Sequence, residues 1–414
     1  MADVSLHEAA QRVCDLMPRG PLEWLPTETC LGRILARNVT APFSIPRCAQ
    51  SLMDGYAVFS RETAGASPER PVSLPVRGRP SAAGHPAGDP VVPGTCRRIL
   101  TGAPLPEGAD AVVPQEDVRL QGDRILLNRP ARQGQWITVP GEEIKAGEVI
   151  LHAGDRLTPS RLSLALAAGF STLPVVRKCR VAVLGTGDEL REPGSPLDPA
   201  SRYGDSRHLI AALARQAGAE PIHLGSAPDD AACIAAALKG AEADLVITTG
   251  GAGRGDRDFL LQAWARLGLR PLFSEIGIRP GHGTACAATS STLYFALPGG
   301  PLAAEIIFHE LVLPALQTWH QSSEGYPERV FARLNTPVRN DGPALRAVTG
   351  TASFRETVLW FQPFGKDRPT RHFSRRRLKN AYALIPPLSG TLDEGQTVPI
   401  RFFLGHWPVV HRAP

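Results

Sequence analysis

Apolar residues near the amino end recur with the spacing of one face of an α-helix. These positions are Leu6, Ala9, Ala10, Val13 and Leu16. Ser5 stands three residues before Glu8, the pattern of a capping box, in which each side chain satisfies a backbone N–H at the start of the helix. Pro18 ends this predicted helix, and a second short helix is expected over residues 26–37.

Between residues 42 and 140, proline and glycine recur every few residues and separate short apolar runs. The clearest runs are Val91–Val92, Arg98–Leu100 and Ala111–Val113. This pattern predicts a small β-rich domain with many turns. A helical pattern returns from Leu157 to Phe170. We therefore expect residues 1–41 and 141–175 to form one helical stalk into which the β-rich domain is inserted.

From residue 176 to residue 325, short apolar runs alternate with helical patterns. The predicted strands are Val181–Leu184, Ile222–Leu224, Asp244–Thr249, a run near Leu272, and Leu293–Leu297. The predicted helices are Arg207–Gln216, one capped by Asp229 that reaches Lys239, one capped by Asp258 that reaches Leu267, and one from Pro301 to about His320 with a kink at Pro314. Alternation of this kind predicts a doubly wound α/β domain with a parallel sheet.

After Tyr326 the pattern contains only strand-like runs, so residues 326–414 are expected to form an all-β domain, a β-barrel. The runs are Val330–Leu334, Ala344–Val348, Val358–Phe361, Tyr382–Ile385 and Val398–Phe403. The fold class is therefore multi-domain, α/β plus all-β.

Composition narrows the class of protein. A hydrophobic share of 43%, a charged share of 21% and a net charge of +5 are ordinary for a folded globular chain. No apolar run approaches the roughly 18 residues that a membrane span needs. Asp3 and Glu8 stand where a signal peptide would be basic and apolar. We expect a cytoplasmic protein with no membrane partner.

Seven cysteines are scattered singly, without a C-x-x-C pair: Cys14, Cys30, Cys48, Cys96, Cys179, Cys233 and Cys286. This odd set predicts reduced, mostly buried thiols rather than a disulfide framework or a zinc site.

Basic residues concentrate near the carboxyl end, at Arg368, Arg371, His372, Arg375, Arg376, Arg377 and Lys379. Such a run either binds phosphates or forms a solvated face. No nucleic-acid-binding motif accompanies it, so no nucleic acid is expected as a partner.

Three glycine-containing loops follow predicted strands of the α/β region, at residues 186–189, 249–258 and 298–300. Ligands of open α/β sheets bind outside the carboxyl ends of the strands, and the helix starts there present free N–H groups to anions. The carboxylates in or near these loops suit Mg²⁺: Asp188, Glu189, Asp205, Asp256 and Asp258. A phosphorylated ligand with Mg²⁺ is one interpretation; helix caps and ordinary turns are the other.

Six short sequences stand in a fixed order along almost the whole chain. They occupy residues 51–58 (Ser-Leu-Met-Asp-Gly-Tyr-Ala-Val), 101–113, 141–144, 186–190, 255–258 and 297–299. In this order they resemble the motifs of the molybdopterin molybdenumtransferases and of the gephyrin E domain. Any one of them is short enough to occur by chance, but six in register are specific.

The resemblance implies an elongated homodimer whose α/β domain is similar to the molybdopterin adenylyltransferases. The implied reaction takes adenylylated molybdopterin and molybdate, cleaves the adenylate with Mg²⁺ and leaves molybdenum on the dithiolene. A molybdopterin adenylyltransferase or a recipient molybdoenzyme would be a further partner.

The resemblance also implies roles for single residues. Asp54 would reach the neighbouring subunit's active site and act in catalysis with Glu189 and Asp258. The implied substrate-binding residues are Thr101, Thr186, Gly187, Asp188, Gly250, Gly251, Arg279, His282, Pro298 and Gly299. The implied metal ligands are Asp205, Asp256 and Asp258.

Several positions depart from the family pattern. After Tyr203 the family has Asp-Ser-Asn and this chain has Gly204-Asp205-Ser206, so either the acid is lost or Asp205 replaces it. The family's Gly-Gly-Val-Ser becomes residues 250–253, Gly-Gly-Ala-Gly, and its Pro-Gly-Asn-Pro becomes residues 298–301, Pro-Gly-Gly-Pro.

The positions that the family uses around molybdate also differ. Its Lys-Pro-Gly-Lys becomes residues 279–282, Arg-Pro-Gly-His, and its barrel arginine and serine align loosely with Glu356 and Thr370. A histidine would make one charge of the oxyanion site depend on pH. Arg279 and the basic run near the carboxyl end offer replacement cations.

These observations lead to one principal hypothesis, an enzyme that inserts molybdenum into adenylylated molybdopterin. The alternative is a non-catalytic relative that binds pterin or partner proteins as a scaffold. A third reading takes the Gly-Gly-Ala-Gly loop as a sign of altered nucleotide chemistry.

Overall fold

The computed structural model describes residues 4–250, 257–323, 329–364 and 378–410. The chain divides into two compact units. One contains residues 1–37, 153–158 and 173–414, and the other contains residues 38–152 and 159–172. None of the helices in the described ranges is long and apolar enough to cross a membrane.

The α-helices are α1 (Leu6–Leu16), α2 (Pro159–Ala167), α3 (Asp205–Gln216), α4 (Ala231–Leu238), α5 (Arg257–Arg266), α6 (Pro301–Ile307) and α7 (Leu313–His320). The first twelve strands are β1 (Leu22–Pro26), β2 (Val39–Thr40), β3 (Gln50–Ser51), β4 (Gly55–Val58), β5 (Val72–Pro75), β6 (Arg97–Ile99), β7 (Ala111–Pro114), β8 (Val118–Gln121), β9 (Arg124–Leu127), β10 (Ile137–Thr138), β11 (Val149–Leu151) and β12 (Thr172–Val176). The others are β13 (Arg180–Thr186), β14 (Leu190–Arg191), β15 (Arg202–Tyr203), β16 (Glu220–Ala227), β17 (Leu245–Thr249), β18 (Pro271–Phe273), β19 (Ile278–Arg279), β20 (Ala285–Ala288), β21 (Leu293–Leu297), β22 (Val330–Leu334), β23 (Val338–Asn340), β24 (Leu345–Arg355), β25 (Val358–Pro363), β26 (Ala381–Ile385), β27 (Gly390–Leu392), β28 (Thr397–Phe402) and β29 (Val409–Val410).

A six-stranded sheet forms the centre of the α/β region, in the order β16-β13-β17-β21-β20-β18. The strands β16, β13, β17 and β21 are parallel, whereas β20 runs antiparallel to both of its neighbours. Successive residues of β13 enter different cores: Val181 and Val183 pack with α3, α6 and α7, and Ala182 and Leu184 pack with α4 and α5. A strand covered on both faces needs apolar residues at every position, which explains its continuous apolar run.

The carboxyl-terminal strands close into a five-stranded barrel. The ladder runs β24-β25-β22-β28-β26, and β26 pairs back onto β24. Its core contains Leu334, Val348, Phe361 and Ile400. Closure satisfies the backbone groups that the outer strands of an open sheet would leave unpaired.

The second unit contains two small three-stranded sheets, β6-β4-β7 and β5-β9-β8. All four residues of β4 are buried. Gly55, its first residue, is required there because a Cβ would lie 2.1 Å from the carbonyl oxygen of Val113. The Asp54-Gly55 step is therefore fixed by the close approach of β4 and β7.

Two of the predicted elements are wrong. Residues 26–37 form no α-helix: they contain a short 3-10 helix at Thr27–Thr29 and isolated β-bridges at Ile34 and Leu35. Long-range backbone pairing overrides the local pattern there. Val91–Val92 is not a strand, because prolines on both sides of it lack the N–H that a ladder needs.

Helix boundaries also differ from prediction in detail. The cap of α4 is Asp230, which accepts from the N–H of Cys233, and not Asp229. Helix α5 begins at Arg257, so Asp258 lies inside its first turn rather than before it. The break in the last helix of the α/β region is a π-helical turn at Phe308–Val312, which ends two residues before Pro314. Proline cannot donate the bond that a regular turn requires.

Candidate functional site

The strand ends from which the three predicted loops begin converge at the carboxyl edge of the parallel strands. The backbone approach is close, because a Cβ on Gly250 would lie 2.3 Å from the carbonyl oxygen of Thr186. A Cβ on Gly299 would lie 3.2 Å from the Cα of Gly250. Gly250 also has a φ of +115°, which favours glycine, and its N–H donates to Leu297. Pro298, between that strand end and Gly299, is buried.

The loop after β13 is held by its own acids. Gly187 has a φ of +147° and donates its N–H to the carbonyl of Ala227. The exposed Asp188 accepts from the N–H of Asp229 at 3.1 Å. Glu189 forms an ion pair with Arg202 at 2.8 Å. The carboxylate of Glu189 is thus partly neutralised by Arg202 of β15.

The start of α3 completes this edge of the sheet. The hydroxyl of Ser206 donates to the carbonyl of Gly299 at 2.6 Å, which ties the helix to the loop after β21. Asp205 is exposed, whereas Gly204 and Arg207 are buried. A cavity of about 10 Å³ lies among these residues, Thr186, Thr249 and Gly299. The structure therefore brings together Thr186, Asp205, Gly250 and Gly299, which the sequence placed in one site.

Arg279 and His282 line a different and larger cavity, of about 690 Å³. Its walls include the start of α1, the buried Glu310 of the π-helical turn, and Arg401 of β28. The Nδ1 of His282 lies 3.0 Å from the carbonyl oxygen of Ile276, and its Nε2 lies 3.7 Å from Glu275. Basic side chains from the α/β region and from the barrel thus face one cavity.

In the other unit, Asp54 and Thr101 form a pair. The backbone N–H and the hydroxyl of Thr101 both donate to Oδ1 of Asp54, each at 2.8 Å. These two bonds, the backbone bond first, lower the pKa of Asp54, and the positive charge of Arg98 lowers it further. The carboxylate is held ionised and in a fixed orientation.

Several predicted residues lie outside the described part of the chain. Gly251 and Asp256 are among them, as are Thr370 and the basic run except Lys379, and of Asp258 only the helical backbone is described. Glu356, which aligned loosely with the barrel arginine, lies in the exposed turn between β24 and β25 with a φ of +54°. Among described residues, no group of three or more His, Cys, Asp or Glu side chains is placed to hold a metal ion.

Three polar features were not predicted from the sequence. Arg207 is buried beside the cleft, where its pattern position indicated only a helix start. Glu305 of α6 forms a buried ion pair with Lys379, and Glu310 accepts from the hydroxyl of Tyr382 at 2.6 Å. The only sign of these features in the sequence was a charged residue at an apolar position of a helical pattern. Such a position does not identify the residue that pairs with it in the fold.

All seven cysteines are free, as predicted. Cys30, Cys96, Cys179 and Cys286 are buried, and burial raises the pKa of each of these thiols.

Comparison with known proteins agrees with this architecture. Residues 4–169 match the family described as MoeA N-terminal region (domain I and II), and residues 182–318 match the family described as probable molybdopterin binding domain. The solved structure of the molybdopterin biosynthesis moea protein from Pyrococcus horikosii is similar, with a TM-score of 0.86 and 29% identity, over 97% of this chain and 100% of that one. The fold and the site therefore define a protein of the MoeA type with a molybdopterin-binding-type α/β domain, and the predicted fold class is confirmed.

Curated relatives identify the family. The molybdopterin molybdenumtransferase of Bacillus subtilis is 34% identical over 403 residues, 96% of this chain and 93% of the relative. Molybdopterin molybdenumtransferase 2 of Mycobacterium tuberculosis is 35% identical over 366 residues, 86% of this chain and 87% of the relative. The chain belongs to the molybdopterin molybdenumtransferase family, as the six motifs predicted.

Proposed function

We propose that this protein is an enzyme of molybdenum cofactor biosynthesis, which takes adenylylated molybdopterin and molybdate, releases AMP and leaves molybdenum on the pterin dithiolene. The observation that carries the proposal is the convergence of Thr186, Gly250 and Gly299 at one edge of the sheet, beside the start of α3. Glycine lets these loops approach one another closely at the carboxyl ends of the strands, which is where ligands of open α/β sheets bind. Family membership supplies the substrate class.

In this proposal the cleft residues bind and orient the pterin nucleotide. Thr186, Gly187 and Gly250 supply backbone groups at the strand ends, and the start of α3 supplies N–H groups to its phosphates. The basic side chains around the larger cavity, Arg279 and His282, would attract the molybdate oxyanion as substrate.

The donor set at the cleft fits Mg²⁺ with the help of substrate. Mg²⁺ is usually held by one or two carboxylates plus substrate phosphates. The exposed Asp205 offers such a carboxylate, and Asp256 and Asp258 are the other proposed ligands. When bound, Mg²⁺ would offset the negative charge of the pyrophosphate as it is cleaved.

Homodimerisation is part of the proposal. Asp54 is half-buried and fixed by Thr101, so a carboxylate oriented in advance would be available to the active site of a partner subunit. An adenylyltransferase that supplies the nucleotide, or a molybdoenzyme that receives the product, is the further partner that this chemistry requires. Seven free thiols support a reducing compartment such as the cytoplasm.

The test is release of AMP from adenylylated molybdopterin with Mg²⁺, with and without molybdate. We expect molybdate-dependent release by the wild-type chain and none by Asp258→Ala. Asp341→Ala is the matched control, since Asp341 is an exposed acid of the carboxyl-terminal region that pairs with Arg339. Tight pterin binding without any release would refute the enzyme and leave the scaffold. Net adenylylation from ATP would instead support altered nucleotide chemistry.

A further inference from the structure

A buried arginine lies at the start of α3. Arg207 is 3% exposed, and its guanidinium pairs through Nη2 with Glu192, whose own side chain is 55% exposed. The Nε of Arg207 has no hydrogen-bond partner among the described residues. A buried charge that is only partly paired is costly, so a missing partner at this position needs an explanation.

Two further donors lie around the same small cavity. Thr186 is 5% exposed and its hydroxyl likewise has no partner in the described part of the chain. Gly204 is the N-cap residue of α3, and no described side chain caps that helix end. An uncapped helix start carries partial positive charge and free N–H groups. Arginine, hydroxyl and helix end therefore all favour an oxygen acceptor that carries negative charge.

The size of the cavity limits what enters it. Its volume of about 10 Å³ is close to that of a single water-sized sphere. One oxygen atom fits, and the rest of the group that carries it must lie in the cleft outside.

Glycine at position 204 keeps this place accessible. A Cβ on Gly204 would lie 3.6 Å from Nε of Arg207, an ordinary contact distance. An aspartate at that position would therefore bring its own carboxylate to the unpaired N–H and would cap the helix as well. On the other side, a Cβ on Gly185 would lie only 3.1 Å from Cδ of Arg207, so the strand end holds the side chain in position.

We propose that Arg207, with the hydroxyl of Thr186 and the open start of α3, forms a subsite for one phosphate oxygen of the pterin nucleotide. Arg207 is then a specificity-determining residue of this chain, and Gly204 is the residue that leaves the subsite open. This inference rests on the proposed function, since it takes the cleft as the nucleotide site.

The test measures binding without turnover, by calorimetric titration of AMP and, separately, of molybdopterin, in the absence of molybdate. We compare wild type with Gly204→Asp, which places a carboxylate in the subsite, and with Gly204→Ala, the matched control that adds only a Cβ. Loss of a charge-assisted hydrogen bond predicts weaker binding by at least about tenfold for Gly204→Asp. Gly204→Ala is expected to bind within about threefold of wild type.

Arg207→Lys is the second variant, because lysine keeps the charge but has no Nε–H in this position. It too should weaken binding about tenfold, and in turnover it should raise KM more than it lowers kcat. If Arg207→Lys does not fold, the binding measured with Gly204→Asp tests the subsite. The aspartate of this variant adds an N-cap to α3 and should leave the protein at least as stable as wild type.

The ligand whose binding is weakened identifies the phosphate that enters the subsite. Weaker binding of AMP indicates the adenylate phosphate, and weaker binding of molybdopterin indicates the terminal phosphate of the pterin. Unchanged binding of both ligands to Gly204→Asp overturns the subsite. Failure of molybdate-dependent AMP release with these binding differences intact would refute only the proposed reaction.

Discussion

His309 should make the stability of this protein depend on pH. The residue lies in the π-helical turn and is 1% exposed. Its Nε2 accepts from the N–H of Leu404 at 2.8 Å, so the ring proton is on Nδ1, which lies 2.7 Å from the carbonyl oxygen of Glu305. Burial lowers the pKa of His309 to about 3, and the positive charge of Arg401 and the neighbouring His406 add to this.

The magnitude follows from the two protonation states. The unfolded chain takes up the proton near pH 6.5, whereas the folded protein takes it up only near the lowered pKa of about 3. The stability linked to His309 is therefore fully present above about pH 6.5 and is lost as the pH falls from there toward about 3. One proton changes the free energy of unfolding by about 1.4 kcal/mol per pH unit, so the loss at about pH 4.5 is on the order of 3 kcal/mol.

Urea unfolding at several pH values between about 7 and 4.5 measures this dependence. We expect the free energy of unfolding of His309→Gln to fall less steeply with decreasing pH than that of wild type, by the slope of about one proton. His85→Gln is the matched control, because His85 is exposed, and it should follow wild type. The slope of the free energy of unfolding against pH is compared, because a destabilisation that is the same at every pH does not change this slope. Equal slopes for wild type and His309→Gln would refute the reasoning.

Two other substitutions test the packing of the cleft and of the barrel. Gly250→Ala should abolish AMP release and lower the melting temperature, because its Cβ would overlap a backbone oxygen. Gly300→Ala, with no described atom within 4 Å of its Cβ, should leave the melting temperature unchanged. Equal melting temperatures of the two variants would contradict the close approach. Lys379→Met should lower the free energy of unfolding by about 3–5 kcal/mol in urea titrations, because it leaves Glu305 buried without its partner. The double variant that also carries Glu305→Leu should recover much of that loss. A double variant no more stable than Lys379→Met would argue against the ion pair.

The α/β region could be predicted well because its two kinds of element leave different patterns. Strand β17 is buried at every position and was found within one residue of its bounds. Some helices of this region carry a cap or a proline at their starts: Asp230 caps α4, and Pro301 begins α6. Strand β20 was missed, since a short run of alanines and one cysteine has no periodicity that distinguishes strand from loop.

Residues 22–37 show the limit of local patterns. Strand β1 pairs with β12, roughly a hundred and fifty residues later in the chain, and Leu35 forms a bridge with Val175. Such pairing depends on backbone groups that the sequence does not mark, and it overrides the helical propensity of the segment. The π-helical turn is a similar case: Pro314 predicted a break, but the irregular turn lies at Phe308–Val312, where His309 and Glu310 are buried.

The cleft also has a part that the sequence predicted and a part that it did not. Parallel strands end at one edge, so the order of strands along the chain was enough to bring Thr186, Gly250 and Gly299 together. The replacement of the family's acid by Gly204 was visible in the sequence, which left open whether the acid is lost or replaced by Asp205. Its consequence depends on Arg207, whose Nε faces the space that the missing side chain would fill. In the family an aspartate at this position offers a hydrogen-bond acceptor, whereas in this chain the place of that acceptor is left for the ligand. This difference can be inferred only when Gly204 and Arg207 are seen together in the structure.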